Sequence, residues 1–344
     1  MIANAMHYAG PNAAVRTLLG DLLRPSDYKL LLNAADSSEL LAALGTTRYA
    51  PALHTQGRSF DYSLRLDWIS RSEKVANLQP ANGRELCNAY LARTEVDALK
   101  TLLRGVFRGV ERRGLLSIFP PLPSRSSLPL TALMAINNLE EAVRVLKHST
   151  YADAVNQGIK EGRAGGDVLW SIESALDREY FVRLEAACRD FYGYEGAIVT
   201  RLFGAIADTF NVLTAERLRK TFRLTPQAVS RQLVPFGLRL RAGQRRALCE
   251  WSGEGLPPAS FGGIIAGRKL AIPLMRALCS EAIKPLFTVP FHAGLAISYV
   301  LLSEFETADL LAIYEGKHWG VERALIADGL IRFYGPALSG GSDV

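Results

Sequence analysis

Residues 168–191 read VLWSIESALDREYFVRLEAACRDF, and their apolar side chains recur every three or four positions. This spacing places a single apolar stripe along one face of an α-helix. Charged residues of the segment, such as Glu173, Asp177 and Arg178, fall largely off that stripe. The segment therefore predicts an amphipathic helix with one buried face. The stripe consists of Leu169, Ile172, Leu176, Tyr180, Leu184, Ala187 and Phe191.

Signals for helix starts occur on both sides of this segment. Ser37, Ser38 and Glu39 precede a leucine-rich run, which is typical of a helix N-terminus. Thr225 followed by Pro226 offers a capping hydroxyl and then a proline at the first helical position. Alternating apolar and polar runs, the pattern of half-buried strands, are scarce and short. We therefore predict an all-α fold.

The composition is that of an ordinary globular protein. The chain has 344 residues, of which 49% are hydrophobic and 22% are charged. This balance excludes intrinsic disorder and collagen-like repeats. The four cysteines lie far apart without a Cys-x-x-Cys pair, so we expect free thiols rather than a disulfide framework or a structural zinc site. They are Cys87, Cys188, Cys249 and Cys279.

No stretch of the sequence predicts a membrane span. A transmembrane helix needs about 20 apolar residues. The best candidate, residues 291–302, offers only about a dozen before Glu304 and Glu306 interrupt it. The first 16 residues lack the basic start and the apolar core of a secretory signal. We therefore expect a cytoplasmic protein that meets a membrane through a partner or a charged surface.

Positive charge is concentrated in one part of the chain. The net charge is +6, and no Asp or Glu occurs between Glu216 and Glu250. Such a block attracts nucleic acid, anionic lipid or an acidic protein face, although it also fits a solvated basic surface without a dedicated partner. The block contains Arg217, Arg219, Lys220, Arg223, Arg231, Arg239, Arg241, Arg245 and Arg246.

Two segments rich in proline, glycine and serine divide the chain, at residues 120–129 and 253–263. Both compositions are unfit for helix interiors and predict linkers or exposed loops. We therefore predict three helical modules at residues 1–120, 121–252 and 253–344, with a frayed tail from about residue 338.

Two short elements recur along the chain. A leucine-bearing helix runs into Tyr-Ala-x-Ala at Tyr49 and again at Tyr151. A second element begins with an acid, at Glu95, Asp208 and Glu306, and matches across its copies without gaps. We interpret each acid as a first-turn residue that stabilises a helix N-terminus, in preference to a carboxylate cluster. The recurrence predicts three related helical modules with a degenerate third.

At these residues the sequence resembles the C-subunit family of V/A-type rotary ATPases, whose eukaryotic counterpart is the d subunit. The family's Thr-x-Tyr motif is matched at residues 47–49 and, less fully, at residues 150–151. Its Glu-x-x-Asn-Leu motif is matched at residues 95–99, 208–212 and 306–310. Asn211 is the expected asparagine, whereas Ala98 and Asp309 replace it. The resemblance covers residues 30–331 and leaves the first 25 residues unmatched.

The resemblance implies three modules in a pseudo-threefold funnel. It implies a non-catalytic rotor subunit on the cytoplasmic face of an ion-translocating membrane, between the central shaft and the membrane c-ring. It implies no cofactor, no small-molecule substrate and no nucleic acid. The funnel's interior and rim meet the partners in this family, so we expect charge of the basic block there. The residues expected at that interface are Arg239, Arg241, Arg245 and Arg246.

No set of reactive residues converges in the sequence. Residues 263–269, GIIAGRK, depart from the phosphate-binding loop in glycine spacing and in the residues that follow. His318 and Glu322 could share a helix face, but further metal ligands are lacking nearby. We therefore rank an all-α enzyme last. A basic helical-repeat scaffold that binds nucleic acid or acidic proteins is the alternative to the rotor subunit.

Overall fold

The computed structural model of the chain describes residues 2–53, 58–164, 167–255, 257 and 270–333. Within these ranges the chain is helical and contains no strand, which confirms the all-α prediction. The helices are α1 (Ile2–Gly20), α2 (Pro25–Asn33), α3 (Ser37–Leu44), α4 (Ala50–Leu53), α5 (Phe60–Leu78), α6 (Ala81–Phe107), α7 (Arg112–Ile118), α8 (Leu130–Leu133), α9 (Leu139–Val145), α10 (Ala152–Arg163), α11 (Val168–Cys188), α12 (Gly193–Glu216), α13 (Pro226–Ser230), α14 (Ala242–Glu250), α15 (Ala271–Ile283), α16 (Gly294–His318) and α17 (Arg323–Asp328).

The helix starts predicted from capping residues are confirmed. Helix α3 begins at Ser37, with the Asp36 side chain accepting hydrogen bonds from the amides of residues 38 and 39. Helix α13 begins at Pro226, and the Thr225 hydroxyl accepts a bond from the amide of Ala228. These side chains satisfy amides that have no partner within their own helix. The helix expected at residues 168–191 is α11, which ends three residues earlier.

The chain divides into two compact units. Unit 1 comprises Met1–Arg84 and Phe191–Val344, and unit 2 comprises Glu85–Asp190. The core of unit 1 joins distant parts of the sequence, since Tyr28 and Leu40 pack in one cluster with Leu310 and Ile313. In unit 2, α10 packs along α11. The three-module division and the funnel stay predictions.

Several other expectations can be compared with the described residues. All four cysteines are free. Residues 119–129 are irregular, as predicted, and lie inside unit 2. Most of the second linker, the GIIAGRK segment and the tail from residue 338 lie outside the described residues. The expectation that no segment is long and apolar enough to span a membrane was wrong within the described residues, because Gly193–Thr221, which is α12 and the π-helical turn that continues it, meets both criteria. Of the most apolar stretch of this segment, 72% is buried inside the protein.

Three long helices, α6, α12 and α16, are each followed by a turn that contains a left-handed residue. Each is followed by a residue in the left-handed region, with φ of 65° at Gly109, 51° at Arg223 and 66° at Gly320. The next residue donates its amide back to a carbonyl in the last turn of the helical segment, over 2.9, 3.0 and 2.8 Å. After α6 and α16 this bond spans five residues, as in the common glycine-type C-terminal cap of α-helices, whereas after α12 it spans six residues and closes the π-helical turn. A short helix follows each turn, and these are α7, α13 and α17.

Candidate functional site

The three repeated acids occupy equivalent places, but they are not first-turn residues. Glu95, Asp208 and Glu306 lie in the interiors of α6, α12 and α16, and are 9%, 2% and 0% exposed. The first-turn interpretation was therefore wrong. A carboxylate withdrawn from water requires hydrogen-bond donors around it. These acids obtain their donors from other segments of the chain, so they connect segments rather than cap helices.

Glu306 has the most extensive contacts. Its Oε1 accepts hydrogen bonds from the Tyr49 hydroxyl at 2.8 Å and from the Arg48 guanidinium at 2.8 and 3.2 Å. Its Oε2 accepts from the Leu23 amide at 2.8 Å and pairs with Arg332. One fully buried side chain thus joins the N-terminal segment, the Thr-x-Tyr motif and residue 332 to α16.

Asp309, one turn further along α16, connects the same parts of unit 1. It accepts hydrogen bonds from the Tyr28 hydroxyl at 3.1 Å, from the Ile331 amide at 2.6 Å and from the Arg332 amide at 2.9 Å. Burial raises the pKa of this carboxyl to about 6, and the three donors offset only part of that rise.

Asp208 and Asn211 have the same spacing on α12 and bind one loop. Asp208 accepts hydrogen bonds from the amides of Arg239 at 2.6 Å and Leu240 at 3.1 Å. Asn211 accepts from the Val234 amide at 2.9 Å and donates to the Val234 carbonyl at 3.1 Å. A side chain on Gly237 would place its Cβ 2.1 Å from the Asp208 carboxylate, so only glycine allows this approach. Burial raises the pKa of Asp208 above its ordinary value.

Glu95 in unit 2 has a simpler environment. It accepts a hydrogen bond of 2.7 Å from the hydroxyl of Tyr151, which is itself 1% exposed. Burial, followed by the charge of Glu95, raises the pKa of Tyr151. Ala98 takes the place that Asn211 and Asp309 occupy in the other copies, and it is fully buried. Both repeated tyrosines therefore donate to a repeated acid.

The arrangement is suited to holding segments together. Both carboxylate oxygens of Glu306 and both of Asp208 accept hydrogen bonds from donors of the chain itself. Within the ranges described above, no three His, Cys, Asp or Glu side chains gather as ligands for a metal ion. His318 stacks against Tyr314 with ring centroids 6.2 Å apart.

Sequence reasoning missed Arg48, Arg332 and Tyr28 as partners of the buried acids, although Arg48 lies inside the Thr-x-Tyr motif and offered a signal.

The four arginines expected at an interface lie around the start of α14. Arg239, Arg241 and Arg246 are exposed, whereas Arg245 is half-buried. Arg239 lies 3.7 Å from the buried carboxylate of Glu281, and Arg245 donates to the Leu240 carbonyl at 2.6 Å. Exposure at three of the four positions agrees with the expectation. Their role in binding a partner stays a prediction.

Comparison with known proteins agrees with the motifs. Residues 11–329 match the family model described as ATP synthase (C/AC39) subunit, which also covers much of the N-terminal stretch that carried no resemblance. The C subunit of the A-type ATP synthase of Methanosarcina mazei is 22% identical over 94% of this chain and 93% of its own length. The C subunit of Methanothermobacter thermautotrophicus is 24% identical over 92% of this chain and 85% of its own length. The C subunit of Methanocaldococcus jannaschii is 22% identical over 92% of this chain and 84% of its own length. A match of this extent includes the buried acids of both units, and the chain therefore belongs to the ATP synthase (C/AC39) subunit family.

Proposed function

We propose that this chain is a non-catalytic central-stalk subunit of a V/A-type, proton- or sodium-translocating rotary ATPase, and that it couples the central shaft to the membrane c-ring. The observation that carries the proposal is the family match over residues 11–329. Relatives named as the C subunit of A-type ATP synthases align over most of their own lengths. The alignment therefore extends along the subunit as a whole and is not restricted to a shared domain.

The internal contacts support a mechanical role. A part that transmits torque must resist deformation, and buried carboxylates with several donors resist it because each broken bond leaves a buried polar group unpaired. Glu306 alone joins three separate segments of unit 1 through five donors. In the proposed role the protein is peripheral, on the cytoplasmic face of the membrane, and contacts the membrane through the ring.

The interface of this proposal includes Arg239, Arg241, Arg245 and Arg246. Exposed guanidinium groups form bidentate hydrogen bonds with carboxylates of a partner. The deciding experiment is co-purification of the tagged chain with shaft proteins and c-ring from solubilised membranes. Replacing all four arginines with Glu is expected to leave the monomer folded and to lower recovery of a partner, most strongly at low salt, where like charges are least screened.

Two exposed arginines, one at the end of α10 and one directly after α11, provide a control in which the same substitution is made at half as many positions. Arg163 and Arg189 have side chains 65% and 72% exposed, and their replacement with Glu should leave recovery unchanged. Equal recovery of both partners by the fourfold variant and by the wild type would remove the arginines from the interface. A wild-type chain that recovers neither partner, yet binds generic DNA in a salt-dependent manner, would favour the basic scaffold, which the exposed arginines also suit.

A further inference from the structure

A turn rich in positive charge follows α12 at residues 217–223, Arg-Leu-Arg-Lys-Thr-Phe-Arg, and is called the basic turn below. Arg217, Lys220 and Arg223 are exposed. Phe222, which lies between the last two of these cations in the sequence, is 53% exposed. Within the described ranges, none of the three cations forms a salt bridge. Their charge is therefore available to a partner outside the chain.

The other side chains of the basic turn hold its backbone in place. Leu218 is fully buried. Arg219 donates hydrogen bonds to the carbonyl of Trp251, over 3.0 Å, and to the carbonyl of Leu224. The Leu224 amide in turn donates to the Leu218 carbonyl over 3.0 Å. The exposed cations and the exposed ring thus project from a backbone that is fixed within unit 1.

Arg223 occupies a backbone conformation that favours glycine. Its φ is 51°, whereas glycines hold the left-handed position after α6 and α16. A residue with a Cβ is disfavoured in this conformation. The exposed guanidinium of Arg223 has no hydrogen-bond partner among the described residues that offsets this cost. Backbone strain without an internal compensation points to a role outside the fold.

Charge and apolar character together determine which partner fits the basic turn. No Asp or Glu occurs between Glu216 and Glu250, so the cations attract acidic surfaces of several kinds. The exposed aromatic ring among them favours a membrane that contains anionic lipid. At such a membrane the cations stay beside the phosphates, while the ring of Phe222 enters the boundary between headgroups and acyl chains.

We propose that the basic turn binds anionic phospholipid headgroups directly, with Phe222 inserted at the membrane interface. The proposal goes beyond the function proposed above, because it adds a contact with lipid to the contact through the ring. It rests on that function for the position of the chain at a membrane. Each cation near an anionic membrane strengthens binding by about fivefold, so the three cations together contribute about 100-fold.

The test measures binding of the full-length chain to vesicles at physiological ionic strength, where distant charges are screened. One set of vesicles contains phosphatidylcholine alone, and the other also contains phosphatidylglycerol. The wild type should bind the second set more tightly, and Arg217→Gln combined with Lys220→Gln should lower that affinity by about 25-fold. Lys74→Gln combined with Arg323→Gln is the matched control, because it also removes one exposed lysine and one exposed arginine of unit 1. The control should bind like the wild type.

Two single variants test the aromatic ring and the strained arginine. Phe222→Ser leaves the charge unchanged and should lower affinity for the anionic vesicles by about tenfold. Arg223→Gly should lower it by about fivefold although it relieves backbone strain and stabilises the fold. Binding that falls while stability rises cannot result from unfolding. Circular dichroism establishes that the other variants fold.

The possible outcomes separate this proposal from the proposed function. Losses in the variants of the basic turn, with unchanged binding of the control, support the lipid contact. Equal losses in the control, wild-type affinity of Phe222→Ser, or a wild-type chain that binds neither set of vesicles overturns it. Co-purification with shaft proteins and c-ring is measured separately. A chain that recovers neither partner, yet binds anionic vesicles through the basic turn, overturns the proposed function and supports the lipid contact.

Discussion

Asp309 illustrates the free-energy balance of a buried carboxylate in this protein. It has three hydrogen-bond donors, yet its pKa is about 6 rather than the ordinary 3.8. Burial therefore disfavours the charged form by more than the donors stabilise it. The carboxyl consequently binds its proton more tightly in the folded chain than in the unfolded chain. Its favourable contribution is complete below about pH 4 and is lost as the pH rises through about 6.

This balance predicts a pH dependence that one substitution should remove. Between about pH 4 and pH 6 the titration of Asp309 should lower the free energy of unfolding by about 3 kcal/mol. Asp309→Asn has no proton to lose, so the fall over this interval should shrink by that amount. Urea unfolding across the interval measures it, and Asp153→Asn, at an exposed carboxylate, is the control. An unchanged pH profile in Asp309→Asn would show that Asp309 does not titrate in this range.

At the scale of elements, a left-handed residue follows each of the three long helices α6, α12 and α16, but the type of residue differs. Gly109 and Gly320 adopt the left-handed conformation without steric cost, whereas Arg223 adopts it with a Cβ close to the backbone. No Cβ contact would form within 4 Å at Gly320, so conformation alone determines the effect of a substitution there. The turn after α12 therefore carries a local strain that the other two lack.

Substitutions at residue 223 and at residue 320 should change the free energy of unfolding in opposite directions. Arg223→Gly should raise the free energy of unfolding by about 1 kcal/mol, and Gly320→Ala should lower it by about 1 kcal/mol. Arg231→Gly is the control, because Arg231 is an exposed arginine with φ of −69°. It should lower stability by about 0.5–1 kcal/mol. Thermal unfolding measures all three, and a destabilised Arg223→Gly variant would mean that the Arg223 side chain contributes more than its strain costs.

At the scale of the whole molecule, each unit has its own buried acid connection. In unit 2, Glu95 meets the neutral hydroxyl of Tyr151. In unit 1, Glu306 compensates the charges of Arg48 and Arg332, whose side chains are only 9% and 10% exposed. Removal of a buried counterion leaves a charge uncompensated, which costs more than leaving a hydroxyl unpaired.

The two units should therefore respond differently to loss of their acid. Glu306→Ala should cost about 3–5 kcal/mol, while Glu95→Ala should cost about 1–3 kcal/mol. Hydrogen exchange resolved along the chain should rise around residues 23 and 48 in the first variant and around residue 151 in the second. Each variant serves as the control for the other. Equal costs, or exchange that rises in both units at once, would contradict separate connections.

The sequence by itself determined the all-α class, the helix from Val168, the helix starts at Ser37 and Pro226, and the positions of the repeated acids and tyrosines. Periodicity and capping depend on residues within a few positions of each other, so the helix from Val168 and the start at Pro226 could be predicted. The partners of the acids could not. Tyr151 is 56 positions from Glu95, and Tyr49 is 257 positions from Glu306. Only the tertiary structure decided which acid meets which donor, because a carboxylate's need for donors is fixed by its burial, and burial is set when distant segments pack together.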